Sequence, residues 1–138
     1  MKIPKSFLIL GFIVLTLNTA WEFSHYFLYV DSSGISKYPH LIIASFADMA
    51  IIMGIFTTVS LKKKNFSWAR NAKKSDYLLT VFSGLTIAAF IEYINLNLGR
   101  WAYTSAMPTI FGIGISPLIQ LALTGTVSLV ILKFVEKR

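Results

Sequence analysis

The stretch Asn18-Thr19-Ala20-Trp21-Glu22-Phe23-Ser24-His25-Tyr26-Phe27-Leu28-Tyr29 decides how this chain folds. It follows the apolar run Phe7 to Leu17 without a turn signal, so the two read as one helix over roughly 5–30, with Pro4 as a natural first-turn residue. On that helix Asn18, Glu22, His25 and Tyr29 fall at i, i+4, i+7 and i+11 and share one stripe. A carboxylate and an imidazole inside an apolar segment cost on the order of several kcal/mol if unpaired. The stripe therefore faces a bundle interior or a watered cavity, not lipid.

Three more apolar blocks, roughly 40–61, 77–98 and 117–135, are long enough to cross a bilayer of about 30 Å. With 55% apolar residues in 138, the chain reads as an all-α integral membrane protein, one four-helix transmembrane domain spanning 1–138. There is no cysteine, which excludes disulfide and thiolate chemistry, and two histidines exclude a His-rich metal centre. The start, Met1-Lys2-Ile3-Pro4-Lys5, resembles that of a signal peptide with Ala20 at the cleavage point. Asn18 fits that cleavage pattern poorly, so the first block reads as a retained span.

The net charge of +7 is distributed in a way that argues against nucleic acid. Lys2, Lys5, Lys62, Lys63, Lys64, Arg70, Lys73, Lys74, Lys133, Lys137 and Arg138 fall on one side of a four-span protein, and only Lys37 and Arg100 on the other. That asymmetry predicts cytoplasmic N and C termini, with the plasma membrane as the expected location. The basic charge is a topology device with some attraction to anionic lipid. Membrane lipids are the expected neighbours, and a nucleic-acid partner is not expected.

Turn chemistry places the boundaries. Asp31-Ser32-Ser33-Gly34 breaks the first helix and Pro39 restarts the second, in which Ala44, Ala47, Ala50 and Gly54 are small enough for close helix packing. Phe66 and Trp68, among the lysines of 62–75, suggest that this loop lies at headgroup level. Ser75 is the expected N-cap of the third span and Ser116-Pro117 the expected start of the fourth. Gly99 ends the third in a left-handed conformation. The segment 100–116 is long and carries Pro108, Gly112 and Gly114, yet is largely apolar. It reads as a re-entrant outer loop, lying over the bundle or dipping into it.

Antiparallel threading brings the polar residues to one depth. Glu22 and His25 on span one, Asp48 on span two, Glu92 and Asn95 on span three and Gln120 on span four all lie in the outer half, while the cytoplasmic half is almost uniformly apolar. Gly84 and Ala88 form a small-residue seam below Glu92, expected to bring it against the stripe of span one. A hydrogen-bonded core that sets helix register accounts for some of this. Three carboxylates, a histidine and a nearby arginine exceed what register requires.

The expected function is that of a small intramembrane enzyme performing acid/base chemistry on a lipid-like, isoprenoid or sterol-like, molecule. Glu22, His25, Asp48 and Glu92 are the candidate catalytic groups. Asn18, Trp21, Tyr29, Asn95, Arg100, Trp101 and Gln120 are the candidate substrate contacts, with Trp21, Tyr29, Trp101 and Tyr103 also suited to an interfacial aromatic belt. Arg100 has three options: pairing with Glu92, pairing with Glu22, or snorkelling to the surface. No cofactor is expected. A proton-coupled carrier or binding protein is the alternative, and with only four spans it would work as a homo-oligomer. Glu22-x-x-His25 with Asp48 and Glu92 also permits a carboxylate/His metal site, although only one such motif is present where di-metal bundles use two.

Overall fold

The computed structural model describes residues 3–31 and 34–136 and contains four long helices. They are α1 (Lys5–His25), α2 (Lys37–Lys63), α3 (Lys74–Asn97) and α4 (Ile115–Val135). Each is long and apolar enough to cross a membrane. The protein is an all-α four-helix membrane bundle. Its outward faces carry Leu8, Phe12, Phe46, Phe82, Phe90 and Phe134, as expected for contact with hydrocarbon.

The helices are not packed as a symmetric square. α1 lies between α2 and α4, α4 packs most extensively against α3, and α2 and α3 touch at only a few points. The seam of α3 explains part of this: a Cβ added at Gly84 would lie 2.6 Å from the Ala122 backbone nitrogen, so glycine lets α3 and α4 meet backbone to backbone. That seam serves α4, not α1 as the sequence suggested. The small residues of α2 make no comparable contact, because Ala50 and Gly54 face outward and Ala44 and Ala47 border a hollow.

Helix ends depart from the expected boundaries for identifiable reasons. α1 stops at His25, a single 3₁₀ turn follows (Tyr26–Leu28), and Tyr29–Asp31 forms a short strand, β1. Tyr29 thus leaves the helical stripe. Ser32 and Ser33 of the expected break lie outside the described residues, as do Lys2, Lys137 and Arg138 of the charge pattern. α3 begins after Lys73, not Ser75: the Asp76 carboxylate, three residues on, accepts from the Lys73 backbone N–H at 2.8 Å, whereas the residue three after Ser75 is Leu78, which has no acceptor. α4 begins after Gly114, which leaves Ser116 and Pro117 inside its first turn and frees the Ser116 hydroxyl for another partner. Gly99 does end α3 as expected. Its φ is +65°, with the Gly99 and Arg100 N–H groups bonded back to Leu96 and Asn95.

The segment after α3 folds into two antiparallel ribbons. β2 (Trp101–Tyr103) pairs with β1, register Tyr29 to Tyr103, which ties the ends of α1 and α3 together. β3 (Thr109–Ile110) and β4 (Ile113–Gly114) form a hairpin around Phe111-Gly112, both at positive φ as a two-residue type I′ turn requires. Backbone pairing accounts for how so apolar a segment satisfies its peptide groups.

At the opposite, basic end the bundle is filled. Leu10, Val14, Ile52, Phe56, Leu129 and Leu132 are fully buried there. Trp68 turns inward to pack on Phe56 (5.8 Å between rings) and donates from Nε1 to Ser60 Oγ at 2.9 Å, so its ring helps to fill this end of the bundle. The buried hydroxyls of Ser60, Thr80 and Ser128 at this end bond to carbonyls of their own helices and require no solvent. The Lys63–Asp76 pair joins the end of α2 to α3, and the Arg70–Glu136 pair pins the loop to the end of α4.

Candidate functional site

At the ribbon end the helices splay around a cavity of about 290 Å³. α1 brings Glu22 and His25 to its wall, α2 brings His40, Leu41, Ala44, Ala47 and Asp48, α3 brings Ala88 and Glu92, and α4 brings Gln120. Tyr26, Tyr29 and Trp101 complete the wall from the segments beyond the helices. The four expected catalytic residues therefore share one enclosure, and most of the remaining wall is apolar.

Two polar clusters occupy it. In the first, Gln120 Nε2 donates to Asp48 Oδ2 at 2.6 Å and to Glu22 Oε1 at 2.7 Å, with Asn18 Oδ1 at 3.3 Å. One amide has two hydrogens for three acceptors, so it clamps the two carboxyl groups together. Sharing that one nitrogen, the carboxyl groups of Glu22 and Asp48 lie side by side. Two carboxylates side by side offer only acceptors, whereas a proton on either makes it a donor to the other. His25 extends the cluster, with Nε2 3.4 Å from Glu22 Oε1 and Nδ1 2.8 Å from Ser116 Oγ.

Asn18 lies behind this cluster, wholly buried. Its Oδ1 accepts from Thr124 and Gln120, and its Nδ2 donates to the Val14 carbonyl. It positions Gln120 and does not line the cavity.

In the second cluster Glu92 accepts three hydrogen bonds: from Tyr103 (2.5 Å) and Trp101 Nε1 (3.3 Å) at Oε2, and from Tyr29 (3.4 Å) at Oε1. All three partners are donors, so an ionised carboxylate suits them. Burial and the Glu92 carboxylate push the Tyr29 and Tyr103 phenols above their ordinary pKa, which keeps both as O–H donors. Glu92 bonds Tyr29, Trp101 and Tyr103, and Tyr29, now in β1, stands between it and His25 of the α1 stripe.

The other expected contacts lie away from the cavity wall. Asn95 donates to the Ile91 carbonyl and accepts from exposed Arg100 at 3.1 Å, so Arg100 takes a partner other than Glu92 or Glu22. Trp21 packs edge-on to His25 with its indole N–H buried and unbonded. Among the described residues, no three His, Cys, Asp or Glu side chains converge in a ligating arrangement.

Sequence reasoning did not assign Ser116, Thr124, Tyr26 or His40 to the site, although Thr124 shares a helix face with Gln120. His40 carried a readable signal, since it precedes Ala44 and Asp48 by four and eight residues on one helical face. Ser116 carried none, because a helix-start pattern concealed its tertiary role.

Fold and site together define a four-helix membrane protein with a partly open, carboxylate-bearing cavity at one end. No family model, curated protein or solved structure matches this chain.

Proposed function

We propose that this protein is an intramembrane enzyme that moves protons on a lipid-like, isoprenoid or sterol-like, substrate. The observation that carries the reading is the Glu22–Asp48 carboxyl pair, clamped by Gln120 and flanked by His25, facing a mostly apolar cavity. One member of the pair gives a proton and the other, or His25, takes one back. Apolar walls limit water at the reacting carbon, while the carboxyl pair re-equilibrates its proton with solvent between turnovers.

Access from the bilayer supports a lipid. α2 and α3 both border the cavity yet scarcely touch, which supports a route into it between them from the hydrocarbon. At about 30 Å³ per water-sized group, the cavity holds roughly ten such groups. A sterol or long isoprenoid would place its reacting end inside and leave the rest in the membrane. The filled basic end supports this reading over a carrier, since it offers no path onward.

The test uses purified protein in nanodiscs with isoprenoid and sterol lipids in deuterated water, read by mass spectrometry. Deuterium should enter one lipid class with the wild type and not with Asp48→Asn. No incorporation by folded protein, or equal incorporation by the variant, overturns the reading.

The orientation proposed with it has both termini and the lysine-rich loop in the cytoplasm, and the ribbons outside with the apolar Ile110-Phe111 tip resting at the lipid boundary. Cysteines placed at Ser67 and Ser105 should label from opposite faces of sealed vesicles. Labelling from the same face rejects this orientation.

A further inference from the structure

Glu92 stands apart from the acid/base pair and has a distinct setting. Three neutral donors hold it, and among the described residues no lysine or arginine pairs with it. The arginine and the lysine of this end are turned elsewhere: Arg100 to Asn95, and Lys37 to the rings of Tyr26 and Tyr38 at 5.1 and 5.9 Å. Among the described residues, those lining the cavity include no lysine or arginine, and the basic side chains there are His25 and His40.

The groups that hold Glu92 are themselves aromatic. Tyr29 packs edge-on against Trp101 (6.2 Å), Tyr103 (5.5 Å) and His25 (5.4 Å), and the rings of Tyr29 and Trp101 border the cavity while their polar ends bond the carboxylate. A fixed carboxylate among aromatic rings in a poorly hydrated space attracts a positive charge through both its own charge and the ring quadrupoles. The aromatic residues spend their donors on Glu92, leaving ring surface, not N–H or O–H, to meet a ligand.

We propose that the Glu92–Tyr29–Trp101 wall is a subsite for a positively charged group on an apolar ligand. Resting on the proton-transfer reading, it would hold the charge created when the carboxyl pair protonates an alkene. The π pair forms the new C–H bond, the adjacent carbon becomes cationic, and loss of a neighbouring proton to the pair or His25 restores a double bond. No other reactant is needed.

The probes are octyltrimethylammonium and its neutral carbon isostere 2,2-dimethyldecane, measured by equilibrium dialysis against zwitterionic nanodiscs with and without protein. After subtraction of the empty-disc signal, the ammonium should bind the wild type at least about tenfold more tightly than the isostere. Glu92→Gln should remove most of that preference, and Trp101→Leu should reduce it with the carboxylate still present. Equal binding of the two probes by the wild type overturns the inference without requiring any variant to fold, even if deuterium transfer is observed. A Glu92-dependent ammonium preference without deuterium transfer sustains the subsite and rejects the enzyme reading, leaving a binder of lipophilic cations.

Discussion

The two ends of this bundle are made from the same four helices and differ in what fills the space between them. At the basic end, Phe56, Leu10, Ile52, Leu129 and Leu132 are completely buried and Trp68 is drawn in to close the gap. At the ribbon end, α2 presents Ala44, Ala47 and Asp48 where larger apolar side chains would be needed to reach α3. The hollow is thus a consequence of small side chains on one helix combined with close α3–α4 contact at Gly84, which draws α3 toward α4. Stability is concentrated at one end, which leaves the other free to keep a cavity and unusual polar groups.

If that division is correct, damage at the two ends should have different signatures. The largest effect is expected at the carboxyl pair: Glu22→Gln and Asp48→Asn should each lower deuterium transfer by about 10²–10⁴-fold. Each amide keeps near-identical shape, so thermal unfolding in nanodiscs should shift little. A large drop in melting temperature with turnover retained would make the pair a structural lock instead.

At the other end, Phe56→Ala should cost about 3–5 kcal/mol of stability, measured by denaturant unfolding in mixed micelles. Ligand affinity of the fraction that remains folded should hold. Loss of ammonium binding in that folded fraction would show that the two ends are not separable.

Between them, Gly84→Ala should cost about 1–3 kcal/mol, because its Cβ would meet backbone and not a yielding side chain. Forcing α3 away from α4 should also alter the cavity, so this variant alone should affect both stability and binding. A Gly84→Ala variant as stable as the wild type would remove the backbone-contact explanation for the hollow.

The smallest effect concerns pH. Burial and Glu92 raise the Tyr103 and Tyr29 pKa values in the folded protein. A phenol of the unfolded chain loses its proton near pH 10. The stability these groups contribute is therefore complete below about pH 10 and declines as pH rises past it. Tyr103→Phe should flatten that alkaline decline without abolishing it, since Tyr29 remains. An unchanged slope would mean that Tyr103 is not held by Glu92.

Much of this was legible in one dimension. Spans of about 20 apolar residues admit few folds, because backbone in hydrocarbon must bond to itself. The stripe Asn18, Glu22, His25 follows from 3.6-residue periodicity; the structure buries Asn18 and His25 along with Phe7, Leu10 and Val14 and leaves Glu22 half-buried at the cavity wall. Short-range geometry determined these features, including the left-handed stop at Gly99.

Tertiary structure alone decided the rest. Which helix the Gly84 seam would meet depended on the order of packing around the bundle, which periodicity does not encode. Tyr29 left its helix yet stayed at the site because strand pairing with Tyr103 returned it there. Ser116 met His25, and Arg100 passed over two carboxylates for Asn95, across contacts set by how helix ends and ribbons close on one another. Sequence spacing alone established which polar residues share a helix face and an end of the bundle. Their partners were settled only when four helices and two ribbons competed for the same small volume.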